Sequence, residues 1–455
     1  MMKDTETFDW GLYPEVEELL VGEVNEFLSR NRQARLLAKR MGESTSTAFI
    51  DWIDYISVPE SRLPAARLEK LGFDRLAVDG LPEGTAAYKH MSTILFPVLV
   101  SQDRDTEVAI KPENIDDFAQ SIGSGVEVDG EPFAPLRKAT VSREGNYVLC
   151  AIERRGTNGY VVQKPRDIHD YVAASSAFKR RRRYFESDED GFEYTRSMVS
   201  DYVTRIGEAR TADAFFRAER SYWQGRNRAG QIQKSRQDTM GLGWGNHDHH
   251  TYRSSRENFA RLISLFELMG YKCRERYYAG EKAGWGAQIM EHKTCEIVLF
   301  ADVDLFPEET QVDFAHNGLA HRKELGTVGL WIGLHGESIF QAGMHHLEAR
   351  FNFDDLKAQL PKYGVRVMEP FSYFDFLKQA FTEGEKWPVD PRRLDRLLGQ
   401  GSINQEQYNT FRDYGAIGSH MENLQRNKGF KGFNKASVTK IIKATDPRLH
   451  ADAGA

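Results

Sequence analysis

Five of the thirteen histidines lie in two short groups, which are the clearest candidates for metal chemistry in this chain. The first group is His-Asp-His-His at 247–250, and the second is His-His at 345–346. Neutral imidazole is a common ligand of first-row divalent metals. Because both groups occupy the same place in two copies of a sequence repeat, we predict a metal site with one histidine from each.

Strand alternation selects one histidine within each group. Successive side chains of a strand point to opposite faces. His346 shares its face with polar side chains, whereas His345 lies on an apolar face. By the same rule His249 lies with polar side chains, and His250 shares its face with Tyr252. The alternation therefore predicts His249 and His346 as ligands, and His250 and His345 as non-ligands.

A carboxylate would complete a facial triad, the two-histidine, one-carboxylate set that holds non-haem Fe(II) with open positions. The acidic residues of the later strands leave four candidates open: Glu291, Glu296, Glu348 and Glu422. Glu422 belongs to the last strand-like segment, HMENLQR at 420–426. We expect that segment to run antiparallel beside the first strand of its own repeat unit.

The histidine groups belong to a weak internal repeat. Each copy reads as a short strand, a turn and an amphipathic helix closed by glycine and an apolar residue, with strand-like segments after it. The copies lie at 49–73, 246–271 and 343–365, with a fainter one at 107–123. The pattern predicts an α+β fold of repeated βαβββ units, whose paired sheets curl into incomplete barrels with a site on the concave side.

The repeat divides the chain into five predicted segments. They are a helical N-terminal segment at 1–47, a first pair of units at 48–165, a helical insert at 166–243, a metal-binding pair at 244–435 and a tail at 436–455. Tyr55 stands at the ligand position of the first copy, so we predict a first pair without metal. The basic run at 179–183 is interpreted as a solvated helix face, because four acidic residues follow at once.

The amino-acid composition argues against several classes of binding partner. Sixty-one basic and 67 acidic residues give a net charge of −6 over 455 residues, too small a bias to favour nucleic acid or an anionic membrane. Three scattered cysteines favour neither a disulfide framework nor a thiolate zinc site. No run approaches the ~20 apolar residues of a membrane span. We expect a cytoplasmic protein without nucleic-acid or membrane partners; a homo-oligomer is left open.

Three motifs, in order along the chain, resemble those of known enzymes. DHHTYR at 248–253 resembles a His-x-x-x-Arg strand, and HHLEAR at 345–350 resembles Asn-His-Leu-Thr-Pro-Arg. ENLQR at 422–426, with Gly-Phe at 429–430 and 432–433, resembles a closing Glu-Ile-Ile-Gln-Arg and Gly-Phe-Gly segment. Mainly over 246–435, the chain thus resembles two vicinal-oxygen-chelate families, 4-hydroxyphenylpyruvate dioxygenase and 2-oxoadipate dioxygenase/decarboxylase, also called hydroxyglutarate synthase.

This resemblance implies a site and a reaction. It implies that His249, His346 and Glu422 hold Fe(II), and that Arg253 clamps a carboxylate of the substrate. The implied substrate is a 2-oxo acid, with a preference for a dicarboxylic one, and O₂ is the co-substrate. The implied reaction is oxidative decarboxylation with hydroxylation of the same substrate.

Two other functions remain open from the sequence. The same three ligands could serve an extradiol dioxygenase that cleaves a catechol ring. Alternatively, a glyoxalase-like cleft could sequester a ligand without catalysis. Metal analysis and the choice of substrate distinguish these hypotheses.

Overall fold

The structure, a computed structural model, describes residues 10–433 except residues 79, 124 and 282. Two helices precede the first sheet within the N-terminal segment that was predicted to be helical, α1 (Pro14–Arg30) and α2 (Arg32–Thr45). The helical conformation is interrupted at Asn31, whose side chain accepts a hydrogen bond from the backbone N–H of Ala34. Asparagine in this position caps a new helix, so the second helix starts where the first one ends.

The first half contains two βαβββ units in one eight-stranded sheet. The elements of the first unit, after a 3₁₀ turn at Phe49–Trp52, are β1 (Ile53–Pro59), α3 (Ala65–Lys70), β2 (Asp74–Arg75), β3 (Thr85–Lys89) and β4 (Val98–Ser101). Those of the second unit are β5 (Thr106–Ile110), α4 (Ile115–Ile122), β6 (Val128–Asp129), β7 (Leu136–Glu144) and β8 (Tyr147–Arg154). The strand order is β2-β3-β4-β1-β5-β8-β7-β6, so the first strands of the two units pair at the centre.

Three helices connect the two sheets, and the second half repeats the pattern in a nine-stranded sheet. The connecting helices are α5 (Ile168–Lys179), α6 (Asp188–Gln224), which is interrupted by a kink at Gly207, and α7 (Arg228–Asp238). The third unit has β9 (His247–Arg253), α8 (Phe259–Leu268), β10 (Lys272–Tyr278), β11 (Trp285–Glu291) and β12 (Val298–Asp304), and is followed by a 3₁₀ turn at Pro307–Glu309 and by α9 (Thr327–His335).

The fourth unit carries an insertion. Its elements are β13 (His346–Arg350), α10 (Phe353–Gln359), a 3₁₀ turn at Leu360–Tyr363, β14 (Ser372–Tyr373), β15 (Leu377–Phe381), β16 (Glu385–Trp387), α11 (Pro391–Gly399), α12 (Gln405–Tyr414) and β17 (Ala416–Arg426). The sheet order is β10-β11-β12-β9-β13-β17-β15-β14, with β16 paired to β17. The predicted α+β fold of repeated βαβββ units is therefore confirmed, whereas the insertion of β16, α11 and α12 was not foreseen.

The first and last strands of each unit run parallel, which corrects one expectation. β17 pairs with β13 in parallel register, with Glu422 opposite Glu348, and β12 pairs with β9 in the same way. The helix of a unit carries the chain back to its starting end, and two further reversals bring the last strand into the direction of the first. The antiparallel direction expected for the segment at 420–426 is therefore wrong.

Glycine closes the repeat helices because the backbone turns there through a conformation that other residues avoid. Gly270 follows α8 with φ at 89°, and Gly364 follows the helical segment of the fourth unit with φ at 73°. Positive φ is accessible to glycine at little cost and marks the end of a helix. The predicted Gly-plus-apolar signal thus corresponds to these turns.

The basic run at 179–183 does not form a solvated helix face. α5 ends at Lys179, and the chain then continues without helical structure, so that burial alternates along it. Arg181 and Arg183 are buried, and both pair with Glu219 of α6. Arg182 stays exposed. The interpretation was wrong because it assumed a helix through a segment in which side chains alternate between protein and solvent.

The segment boundaries predicted at 1–47, 48–165, 166–243 and 244–435 remain predictions, and the tail at 436–455 lies outside the described residues. Among the helices that the structure describes, none combines the length and the apolar character that a membrane crossing requires.

Candidate metal centre

Four side chains that could bind a metal converge from three neighbouring strands at the centre of the second sheet. His249 comes from β9, His346 and Glu348 come from β13, and Glu422 comes from β17. One donor atom from each lies within 4.8 Å of the others, and all four side chains are buried. The structure thus brings together the three ligands predicted from sequence and adds Glu348, which had been an open candidate.

A bulge in β9 gives His249 its place. β9 and β13 are antiparallel, with Leu347 opposite His250 and Ala349 opposite His247, so two residues of β9 stand opposite the single residue between Leu347 and Ala349. Those two residues are Asp248 and His249. A bulge of this kind inserts one residue and redirects the neighbouring side chains. It explains why the adjacent side chains of Asp248 and His249 can meet.

Direct contacts connect the four donors in pairs. Nε2 of His346 lies 3.0 Å from Oε2 of Glu422, and Nε2 of His249 contacts Oε2 of Glu348. Thr251 places its hydroxyl 2.7 Å from Nε2 of His346. Gln379 of β15 donates to Oε1 of Glu422 over 3.3 Å. The donors therefore face one another across a single point.

Burial sets the protonation of these groups. It lowers the pKa of His249, against the opposing effect of Asp248, and together with the charge of Arg253 it lowers the pKa of His346 to about 3. It raises the pKa of Glu422 to about 7. Burial and the nearby Glu422 raise the pKa of Glu348 well above its usual range. Near neutral pH both imidazoles are thus uncharged, which is the form that binds a cation.

The donor set fits a first-row divalent metal. Two neutral imidazoles with carboxylates are the ligands that non-haem iron and similar metals take. Within the described residues, neither oxygen of Glu348 meets a well-aligned hydrogen-bond donor, and Nδ1 of His346 has no partner. Two carboxylates buried side by side are costly to ionise, and a divalent cation between them would offset that cost.

A small cavity of about 70 Å³ opens beside the four donors. Its other walls are mainly aromatic, and these lining rings belong to Tyr277, Trp285, Phe300, Phe371, Phe381 and Phe433. Thr251, Asp302 and Gln379 supply the remaining polar groups. The cavity therefore combines a metal-binding wall with an apolar body.

Arg253, the predicted carboxylate clamp, lies four residues after His249 on the same strand and does not itself line the cavity, although its neighbour Asp302 does. Its Nε is 3.9 Å from Oδ2 of Asp302, the residue opposite it on β12. Its guanidinium carbon lies 5.4 Å from the centre of the Trp331 ring. The clamp remains a prediction, and Asp302 is the group with which a substrate carboxylate would compete.

The histidines predicted not to bind metal have other contacts. His250 lies 3.2 Å from Nη1 of Arg220, and Nδ1 of His345 lies 3.1 Å from the carbonyl oxygen of Gly418. Tyr55, at the equivalent place in the first half, is buried in an apolar cluster and donates to Glu107. The concave side of the first sheet is thus filled by side chains at the position where the second sheet carries its donors.

The remaining carboxylate candidates lie in ion pairs away from this cluster. Glu291 pairs with Arg274, and Glu296 pairs with Lys89. Glu348 could have been selected from sequence by the strand alternation that selected His346, two residues before it. Asp248, by contrast, was hidden by the bulge, which alternation does not predict.

The two units of the second half do not contribute equally. In the third unit Thr251 pairs with Phe300, and in the fourth unit Glu348 pairs with Glu422 at the same place. Phe300 therefore stands where a second closing carboxylate would be, and its ring centre lies 4.7 Å from that of His249. The donors are thus two histidines from the first strands and both carboxylates from the fourth unit.

Comparison with known proteins gives distant similarities only. No protein-family model matches the chain, and no curated protein matches it. A triple mutant of 4-hydroxymandelate synthase from Streptomyces coelicolor aligns over 88% of this chain and 97% of its own, at 14% identity and a TM-score of 0.27.

Two further solved structures align with part of the chain. A provisionally assigned hydrolase from Shewanella frigidimarina NCIMB 400 covers 49% of this chain and 96% of its own, at 17% identity and a TM-score of 0.33. A variant of methylmalonyl-CoA epimerase from Streptomyces coelicolor covers 39% and 95%, at 14% identity and a TM-score of 0.21. At these scores the similarities carry no functional argument, and the site must be interpreted from its own residues.

Proposed function

We propose that this protein is an Fe(II)-dependent dioxygenase that decarboxylates a 2-oxo acid and hydroxylates the same substrate. The observation that carries the proposal is the convergence of His249, His346 and Glu422, with Glu348, on one buried point beside a cavity lined by aromatic rings. Two histidines and a carboxylate form the facial triad of non-haem iron oxygenases. Iron bound there would supply open coordination positions for the substrate and O₂ and would mediate the transfer of electrons from the substrate to O₂.

The proposed reaction balances without a further reductant. The bond between the carboxyl and keto carbons breaks, and the carboxyl group leaves as CO₂. One oxygen atom of O₂ enters the new carboxylate, and the other enters the hydroxyl group of the product. Because the substrate itself supplies the electrons, no separate 2-oxoglutarate is needed.

The protein side chains hold the substrate and exclude water. The aromatic walls favour a substrate with an apolar or flat body next to its 2-oxo acid group. Three of the lining residues, Tyr277, Trp285 and Asp302, each have a buried polar atom that has no hydrogen-bond partner among the described residues. These atoms can recognise a polar group on that body, because burying them unpaired is costly.

The test is an oxygen-uptake experiment on protein loaded with Fe(II) under anaerobic conditions. The panel contains aliphatic monocarboxylic, aliphatic dicarboxylic and aromatic 2-oxo acids, together with a catechol. We expect about one iron per chain, and O₂ uptake coupled one-to-one to CO₂ release from a 2-oxo acid. Ring cleavage of the catechol without CO₂ release would instead support an extradiol dioxygenase. Absence of bound iron would support a non-catalytic binding protein.

Variants identify the ligands in the same assay. We expect His249→Ala, His346→Ala and Glu422→Ala each to abolish activity while circular dichroism stays that of the parent. His345→Ala is the matched control, because it removes the neighbouring imidazole and should keep iron. Iron loss in His345→Ala with normal iron in His346→Ala would contradict the assignment.

A second candidate follows from Glu348. Four protein donors leave fewer open positions than three, which suits a reaction in which the metal only polarises a carbonyl and a carboxylate moves a proton on the neighbouring carbon. Exchange of that hydrogen with D₂O under anaerobic conditions, without O₂ uptake, would favour this isomerase-type chemistry over the dioxygenase.

A further inference from the structure

Asp248 is buried next to His249 and is held by arginines from two other strands. Its Oδ2 lies 3.1 Å from Nδ1 of His249. Its Oδ1 accepts from Nη1 of Arg426 over 2.8 Å and from Nε of Arg350 over 3.3 Å. The side chains of Asp248 and Arg426 are each 4% exposed. A buried carboxylate with three such contacts has little freedom to turn.

These contacts determine which nitrogen of His249 carries the proton. Oδ1 of Asp248 accepts from the guanidinium groups of both Arg426 and Arg350, so Asp248 acts as a hydrogen-bond acceptor in this cluster. A carboxylate paired with two guanidinium groups offers acceptor oxygens, so Nδ1 of His249 is the donor in its contact with Oδ2. Nε2, which contacts Glu348, is then left with its lone pair directed into the cluster of donors. The other histidine has no such support, since Nδ1 of His346 has no partner among the described residues.

We propose that Asp248 is the positioning residue of the metal centre, which sets the tautomer and orientation of His249 and is itself held by Arg426 and Arg350. This inference rests on the proposed metal site. Carboxylates that accept from the second nitrogen of a ligating histidine orient the ring and increase its basicity. In this chain the bulge in β9 is what brings the carboxylate to the ring, because a regular strand would turn adjacent side chains to opposite faces.

The first half of the chain contains a counterpart without the histidine. Asp54 lies in β1 directly before Tyr55, at a place where the register with β5 also shifts. Both oxygens of Asp54 accept from Nε of Arg154, at 3.0 and 2.9 Å. Arg154 is the last residue of β8, as Arg426 is the last residue of β17. The aspartate–arginine pair is thus common to both halves, and only in the second half does it reach an imidazole.

This symmetry supplies a matched control. Asp54→Asn and Asp248→Asn each remove one charge from a buried aspartate–arginine pair, but only Asp248→Asn acts on His249. The probe is Co²⁺, which binds to the same kinds of ligands as Fe(II) and reports its coordination through its visible absorption spectrum. We measure the Kd for Co²⁺, the visible spectrum of the loaded protein and the Tm of the metal-free protein.

We expect both variants to lower the Tm of the metal-free protein. Only Asp248→Asn should weaken Co²⁺ binding, by about ten- to a hundredfold, and alter the visible spectrum. Asp54→Asn should keep the Kd and spectrum of the parent. Arg350→Gln provides a milder test if Asp248→Asn does not fold, because Arg350 is 31% exposed and supplies one of the two arginine contacts. It should weaken Co²⁺ binding severalfold.

Three results would overturn the inference. Parental Kd and spectrum in Asp248→Asn, with a loss of Tm equal to that of Asp54→Asn, would show that Asp248 is merely structural. Unchanged Co²⁺ binding in Arg350→Gln, where Asp248→Asn cannot be purified, would do the same. If the parent protein binds no Co²⁺, the metal centre itself fails and the inference falls with it.

Discussion

Arg253 lies next to Asp302, which lines the cavity, and this pair bears on the predicted carboxylate clamp. They lie opposite each other on β9 and β12, with 3.9 Å between Nε and Oδ2. Burial raises the pKa of Asp302 to about 7. Near neutral pH a large fraction of Asp302 is therefore uncharged, and it holds the guanidinium less strongly than an ionised substrate carboxylate would. If Arg253 clamps a substrate carboxylate, as the sequence predicts, it would exchange Asp302 for that partner.

This exchange predicts the behaviour of Arg253→Lys. Lysine keeps the charge but loses the planar two-point contact with a carboxylate. We expect KM for a dicarboxylic 2-oxo acid to rise by about ten- to a hundredfold, which corresponds to ~1.5–3 kcal/mol for a charged hydrogen bond. KM for a monocarboxylic acid of similar size should change little, and iron content should remain that of the parent.

Arg256→Lys is the control for this substitution. Arg256 is a buried arginine on the segment after β9, and its guanidinium pairs with Glu309 rather than with the cavity face. Its lysine variant should lose stability without changing the ratio of the two KM values. Equal effects of Arg253→Lys on both acids would contradict the clamp and leave Arg253 with a structural role against Asp302 and Trp331.

The sequence predicts the roles of some residues in the site but gives no signal for others. Period-two alternation holds from His249 to Arg253, which is why it separates His249 from His250. It fails one residue earlier, because the bulge places Asp248 beside His249 and brings the rings of His247 and His250 to 5.3 Å. Glu348 lay within reach of the same rule, but a three-ligand expectation left it among the alternatives. The contacts of the residue inserted at a bulge depend on how its strand pairs with another strand. A local sequence pattern contains no information about that pairing.

Among the elements, α6 is stabilised against the rest of the second half by a buried charge cluster. Glu219 on this helix is 1% exposed, and it accepts from Nη2 of Arg181 over 2.9 Å and Nη2 of Arg183 over 2.6 Å. Arg181 also donates to the carbonyl oxygen of Ile339, and Arg183 to that of Phe340. One carboxylate thus compensates two buried cations and joins α6 to the chain segment that leads to β13.

Removing the Glu219 carboxylate should destabilise the folded protein. We expect Glu219→Gln to lower the free energy of unfolding by about 3 kcal/mol, since it leaves two buried guanidinium groups without a counter-charge. Urea denaturation followed by circular dichroism measures the change. Glu189→Gln, which breaks an exposed pair with Arg261, is the control and should cost less than about 1 kcal/mol. Similar small losses in both variants would show that water reaches the Glu219 cluster.

Sequence periodicity predicted the positions of the strands and helices better than it predicted whether paired strands run parallel or antiparallel. The four copies of the repeat each contain the expected strand and helix, because amphipathic patterning and a closing glycine are local signals. The parallel pairing of first and last strands depends on how many times the chain reverses, and the insertion of β16, α11 and α12 obscured that count. The basic run at 179–183 was wrongly predicted to be solvated for a related reason. Arg181 and Arg183 are buried because they pair with Glu219, which is distant in the sequence.

On the scale of the whole molecule, hydrogen bonds join the two halves at several places. The backbone N–H of Asn352, which caps α10 beside the metal-binding strand, donates to the carbonyl oxygen of Ser46 over 2.8 Å. The N–H of Trp244 donates to Glu113 over 2.9 Å, and that of Gly429 donates to Glu17 over 2.7 Å. Local periodicity predicts each sheet separately and is silent on these contacts. Because they bind α1, α2 and the first sheet to the second half, we expect the chain to unfold as one cooperative unit.

Metal binding tests that cooperativity. A cation that binds only the folded protein adds RT ln(1 + [L]/Kd), or about 2.7 kcal/mol at a concentration of one hundred times Kd. For a chain of this size that should raise Tm by roughly 3 °C. In calorimetry we expect a single transition that moves as a whole when Co²⁺ or Fe(II) is added anaerobically, and that returns when the metal is removed by a chelator. His346→Ala in the same metal excess should show no shift, which separates binding at this centre from binding elsewhere. Two transitions, of which only one moves with metal, would show that the first half unfolds independently, and that the hydrogen bonds at Ser46, Glu113 and Glu17 are too weak to couple the halves.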